Sequence, residues 1–314
     1  MSLHEERPPL PGDPAPEPEA QNSPAMPEVT PPHPFPDWGN EGTHPTPATE
    51  VTSYPPAKTY PADLQISWSW GHLALFGLFA LTLFGALQVY ILVLYSKHRT
   101  MSVERFQQYL MSKPEISVGS TLVMFALLIL FLYVTLALWE GKPFWSTLGW
   151  RKLVPIRAEM PKNPLAYFLI GCGLSILVFG LTAIVKPPEN TPIEEVFKFK
   201  ETAILFVAMA VFVAPLVEET LFRGYLYPLF ARSFGVTPAI LLTGVLFGLM
   251  HGGQLGWAPG LVAVLTMVGI VFTLVRARTG TVFASFLMHL GYNSLIGLSM
   301  ILETHGFTQM PTGK

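Results

Sequence analysis

Charge is scarce in this chain. Only 13% of its 314 residues are Asp, Glu, Lys or Arg, against about 25% in soluble domains. Cysteine is scarcer still, since Cys172 stands alone within an apolar run. An intramolecular disulfide is therefore excluded, and the redox compartment stays open. Aspartate occurs only at Asp13, Asp37 and Asp63, before the apolar part begins. That excludes an aspartyl dyad inside a membrane. Ser285 and Ser294 lie near His289, but no Gly-x-Ser-x-Gly elbow occurs, and His-Glu-x-x-His is missing as well. A formal net charge of −2 with no basic patch argues against a nucleic-acid partner.

Apolar sequence is what the chain has in abundance. The hydrophobic fraction is 50% and the mean hydropathy is +0.42, so the chain reads as an integral, multi-pass membrane protein. Its fold class is an all-α, polytopic transmembrane helical bundle of about seven to eight spans with a disordered, proline-rich N-terminal tail. Residues 1–65 hold more than half of the 30 prolines, with Arg7 and Lys58 as the only Lys or Arg. Such composition does not build a packed core. The plain expectation is a solvated tail. Pro8-Pro9 and Pro31-Pro32 also offer docking points to a proline-recognising partner. The acidic start of the chain has no apolar stretch, so no cleavable signal peptide is expected and the first span should serve as its own insertion signal.

Four parts follow from the pattern. Residues 1–65 are the tail, 66–160 two spans and an interfacial loop, 161–303 a catalytic membrane domain, and 304–314 a short polar tail. Spans are expected over 72–95, 116–139, 164–185, 202–223, 238–251, 258–275 and 281–302. Trp68 and Trp70 are placed as an aromatic belt, and residues 144–152 as an interfacial segment of alternating aromatic and basic character. Thr191 to Glu194 reads as a capping box, Gly252-Gly253 as a break, and Arg276, Arg278 and Gly280 as a tight turn. Residues 224–234 are expected to be partly buried or re-entrant. Basic residues fall in both of the first two loops, so the positive-inside rule assigns no orientation.

Three polar groupings interrupt the apolar regions. The first is Glu218-Glu219-Thr220-Leu221-Phe222-Arg223, at the end of a long apolar run. A charge at membrane depth costs roughly 2.5–3.5 kcal/mol on insertion scales. Glu219 and Arg223, four apart, share a helix face and lower that cost as a pair. Glu218 lies about 100° round the helix, which leaves it free to act as a general base. The second grouping is Phe247 with His251, where His251 can share a water with Glu218 and Phe247 packs the core. The third is His289 with Asn293, two donors on one face, as an oxyanion requires. Together they suit hydrolysis of a carbonyl bond by activated water. Glu218, His251 and His289 could instead hold Zn²⁺, so no cofactor is fixed and zinc stays open. Each grouping alone has a plainer reading as a solvated ion pair or interhelical glue. Their co-occurrence in consecutive apolar regions is what points to a site.

These motifs resemble the Glu-Glu-x-x-x-Arg, Phe-x-x-x-His and His-x-x-x-Asn motifs of the CPBP intramembrane proteases. That family includes CAAX prenyl endoproteases and bacteriocin-processing or Abi proteins. The resemblance covers roughly residues 160–300. It implies a bundle of about eight helices with a cavity open to lipid and cytosol. It implies that Glu218 and His251 activate water, that His289 and Asn293 stabilise the oxyanion, and that Glu219 and Arg223 buttress the site. It leaves open both a metal-dependent and a metal-free glutamate mechanism. The substrate class it suggests is a membrane-anchored or lipidated peptide, with membrane lipids as surroundings. Two other functions compete: a proton-coupled transporter using Glu218, Glu219, His251 and His289 as a relay, and a non-catalytic membrane scaffold or immunity protein.

Overall fold

The computed structural model describes residues 60–154, 159–185 and 191–310. The expected disordered tail lies outside these residues, apart from its last few positions. Among the described residues the chain is helical and has no strand. Six helices are long and apolar enough to cross a membrane. They are α1 (Trp70–Lys97), α3 (Pro114–Leu138), α5 (Pro164–Val185), α7 (Lys200–Phe234), α9 (Pro259–Thr279) and α10 (Val282–Glu303). A seventh apolar helix, α8 (Val236–Met250), has 15 residues. Short helices α2 (Val103–Met111), α4 (Phe144–Thr147) and α6 (Pro192–Val196) lie between spans. The protein is an integral, multi-pass membrane protein. Among the described residues the apolar helices comprise six of full length and one short one.

Most boundaries follow from local chemistry. Pro114, Pro164, Pro192 and Pro259 open α3, α5, α6 and α9, where the missing N–H costs nothing. Thr191 and Glu194 form the expected capping box, and Thr281 caps α10 by accepting from the Phe283 N–H. After α8 the chain turns over Gly252-Gly253. After α9 it turns at Gly280, whose φ of +71° is left-handed and suits glycine.

Several expectations change. Residues 224–234 are largely buried, as one of the two expected readings had it, but they are not re-entrant, because α7 runs on through them for 35 residues. Gly224 causes no break because it faces α4's far end, where a Cβ would lie 2.7 Å from the Leu148 carbonyl oxygen. Trp68 is not a belt residue. It is buried, stacks on Tyr225 and donates its indole N–H to the Tyr225 carbonyl, while Trp70 is exposed and bonds Ser233. Residues 60–65, assigned to the tail, are packed: Leu64 is buried, and Asp63 pairs with Arg276. Arg276 and Arg278 accordingly lie in the last turn of α9 and not in a loop. The segment 144–152 is also drawn inward, with Phe144 and Leu148 buried and Trp150 donating to the Thr220 hydroxyl.

Packing tightens toward α5, α9 and α10, whose Tyr167, Leu174, Phe272 and Met288 share one buried cluster. No residue of α1 is buried, so that helix is lipid-facing. At the α5–α10 crossing, a Cβ on Gly171 would lie 1.9 Å from the Met288 carbonyl oxygen, and one on Gly291 2.0 Å from that of Phe168. Only glycine allows backbones to approach this closely, as small residues do at membrane helix interfaces. This crossing fixes the height of His289, which follows Met288 directly.

Candidate active site

Glu218 lies near the middle of α7, where the helix changes its winding. Residues Met209–Val213 and Glu219–Leu226 adopt i→i+5 turns, a local widening often found at functional sites. The second of these turns carries Glu219 and Arg223, both fully buried. Arg223 donates to Glu219 Oε1 at 2.9 Å. Its other nitrogens reach α9, donating to the Gly269 carbonyl at 2.8 Å and the Thr273 hydroxyl at 3.2 Å. Thr273 donates its own hydroxyl hydrogen bond to the same Gly269 carbonyl. The guanidinium also lies 4.5 Å from the centre of the Phe247 ring, an attractive cation–π placement. Phe247 is thus a packing residue, as expected, and a lid over a buried cation as well.

Glu219 has a second partner. His289 Nδ1 lies 3.0 Å from the same Oε1. A carboxylate paired with arginine accepts, so Nδ1 carries a proton and Nε2 is turned toward Glu218. His251, which caps the end of α8, donates from Nδ1 to the Phe247 carbonyl at 2.7 Å. A carbonyl can only accept, so the Nε2 of His251 is likewise left to face Glu218. Both Nε2 atoms lie 3.8 Å from Glu218 Oε2. Three polar atoms therefore converge from three helices, with each histidine spaced from Glu218 so that a water can bridge them.

The surroundings are graded in polarity. Glu219 and Arg223 are sealed off, whereas the side chains of Glu218 and His251 keep 16% and 17% of their surface. They border a cavity of about 440 Å³ whose wall also includes His289, Asn293 and Phe247. Its wall also takes in α6 and the turn after α8, joined by the Ile193 N–H donating to the Gln254 carbonyl. The remaining wall is apolar, with Phe125, Phe206, Ile296 and Met300 among it.

All seven residues singled out in the motifs thus meet in one region. Asn293 is the one whose placement differs in kind from an expected free donor. One of its two amide N–H groups is committed at 2.7 Å to the carbonyl of Ala210 in α7. Sequence reasoning missed the α9 partners Gly269 and Thr273. Their signal was available in principle, as a hydroxyl four residues after a glycine inside an otherwise apolar span.

The donor types of Glu218, His251 and His289 suit zinc. Tetrahedral zinc ligands at about 2.1 Å from the metal lie roughly 3.4 Å apart, closer than the 3.8 Å found here. Among the described residues no group of three or more His, Cys, Asp or Glu has the geometry of a metal site. As the residues stand, they do not fit the ion.

The site thus combines, in a polytopic bundle, a buried Glu–Arg pair, a freer Glu and two histidines beside a half-enclosed, mostly apolar cavity. Residues 200–295 match the family model described as type II CAAX prenyl endopeptidase Rce1-like, over the segment that carries the three motifs. The match begins with α7 and ends inside α10, and it contains every motif residue. It supports a CAAX-type intramembrane protease in general terms. Neither the curated proteins nor the solved structures gave a match.

Proposed function

We propose that the protein is an intramembrane endopeptidase that hydrolyses a peptide bond with a water activated by Glu218 and His251. The observation that carries this reading is the convergence of Glu218 Oε2 with two histidine Nε2 atoms at 3.8 Å each. A water among these atoms gives one hydrogen bond to Glu218 and one to His251, and turns a lone pair toward the cavity. Its oxygen attacks the scissile carbonyl carbon as Glu218 takes the proton. The carbonyl π electrons move onto oxygen to form the tetrahedral oxyanion. When that oxyanion collapses, the C–N bond breaks and Glu218 returns its proton to the leaving amine.

His289 faces the same point and is assigned to the oxyanion. Its Nδ1 is already held by Glu219, and a proton on Nε2 makes that nitrogen a donor in a site where water is largely excluded. Glu219, Arg223 and Phe247 take no part in bond making. They keep the charge next to Glu218 neutralised and the histidine rings in place.

The cavity suggests the substrate class. Its volume lies in the range of sites for small ligands, about 300–1,000 Å³, and its wall is mostly apolar. A peptide carrying a lipid or a membrane-anchoring apolar end suits such a wall, with the lipid along Phe206, Ile296 and Met300 and the scissile bond at Glu218.

The test compares peptide termini in membranes from cells expressing wild type or Glu218→Gln at matched levels, with thermal stability measured on both purified proteins. Termini that disappear in the variant while stability is retained identify the cleaved substrate. Identical termini in both would overturn the reading.

A further inference from the structure

Pro215 lies in α7, one helical turn before Glu218. It has no N–H to donate. In the i→i+5 turn over Met209–Val213, the Ala214 N–H reaches the Met209 carbonyl. The next bond in that register would run from residue 215 to Ala210, and proline cannot form it. The Ala210 carbonyl is nonetheless satisfied, because Asn293 Nδ2 donates to it at 2.7 Å from across the bundle. A carbonyl left bare in an apolar layer is costly, so this side chain stands in for a missing main-chain donor.

We propose that Asn293 is a positioning residue that replaces the hydrogen bond Pro215 cannot make. The contact ties α10 to α7 at a point within two to three turns of Glu218 on one helix and one turn from His289 on the other. It thereby holds the 3.8 Å spacing between them. This differs from the oxyanion role that the resemblance implies for Asn293, and it makes Pro215 part of the same device. The inference rests on the endopeptidase reading for its catalytic readout, but the Pro215–Asn293 coupling can be measured without activity.

The test is a double-mutant cycle of Asn293→Ala with Pro215→Ala, and with Pro215→Ser as a second variant that restores an N–H. Each is read by kcat, KM and thermal stability in a bilayer mimetic. With Pro215 present, Asn293→Ala should lower kcat at least tenfold, hold KM within about threefold, and lower the melting temperature. With Ala or Ser at 215 the Ala210 carbonyl has a main-chain donor, so adding Asn293→Ala should cost less than threefold in kcat and leave the melting temperature unchanged. An equal kcat loss in all backgrounds would assign Asn293 to the oxyanion and overturn the proposal. The same cycle on melting temperature, repeated in the Glu218→Gln protein, requires no turnover. Additive shifts there would also overturn it, whatever becomes of the protease reading.

Discussion

His289 and Glu219 are joined Nδ1 to Oε1 at 3.0 Å, and that one contact decides which face of the imidazole meets Glu218. The two adjacent glutamates thus do different work. Glu219 accepts from Arg223 and His289 and is fully buried, while Glu218 meets the cavity and bonds neither histidine directly.

Glu218→Gln should therefore abolish cleavage with little change in stability. General-base removal costs on the order of 10²–10⁴ in rate, and no short polar contact of Glu218 is lost. Activity of the purified protein on a cleavable peptide, read beside its melting curve, separates the two effects. A melting temperature that falls together with activity would contradict the division of labour.

Arg223→Ala should behave in the opposite way. It strands the buried Glu219 carboxylate, whose Oε2 already has no hydrogen-bond partner among the described residues. Removing one partner of a buried pair costs about 3–5 kcal/mol, so denaturant or thermal unfolding should register a large loss. Arg223→Lys should recover only part of it, since an ammonium cannot span Glu219, Gly269 and Thr273 at once.

Gly171→Ala and Gly291→Ala each push a methyl into backbone at about 2 Å. The helices must separate, at a cost of about 1–3 kcal/mol for overpacking. Because His289 rides on α10 at this crossing, kcat should fall as well. Gly180→Ala is the control, since it lies on the same helix with open space where its Cβ would be, and both stability and kcat should match wild type.

Asp63→Ala should unsettle the other end of α9. Arg276 is fully buried, bonds both the side chain and the carbonyl of Asp63, and leaves its Nε unpaired among the described residues. A loss of about 3 kcal/mol is expected. Adding Arg276→Leu should restore much of it by removing the stranded charge, and unfolding of the single and double variants checks this.

How much of this was legible depends on range. The α5 boundaries, the α6 capping box and the Glu219–Arg223 pair rest on neighbours within one turn, and they stand in the structure as the sequence implied. The Asp63–Arg276 pair spans 213 positions, and Asp63 sits at the edge of a proline-rich stretch, so no local pattern announced it. Trp68 looked like an interface anchor because it stands just before the first span, yet its contact is Tyr225, 157 positions away. Residues 224–234 looked separable from the span before them, but Gly224 lies inside α7 and admits the Leu148 backbone. Which nitrogen of each histidine faces Glu218 was beyond the sequence, because it follows from carbonyl and carboxylate partners that only the fold supplies.

The 15 residues of α8 have a further consequence. At about 1.5 Å per residue they span roughly 22 Å, short of a hydrocarbon layer near 30 Å. The helix stops at His251, beside the middle of the much longer α7, and a polar turn continues from there. Lipid next to α8 must thin or tilt to meet it. Acyl-chain length around the protein is thus a variable of its hydration and its turnover, and bilayers of different thickness present the same residues with different amounts of water.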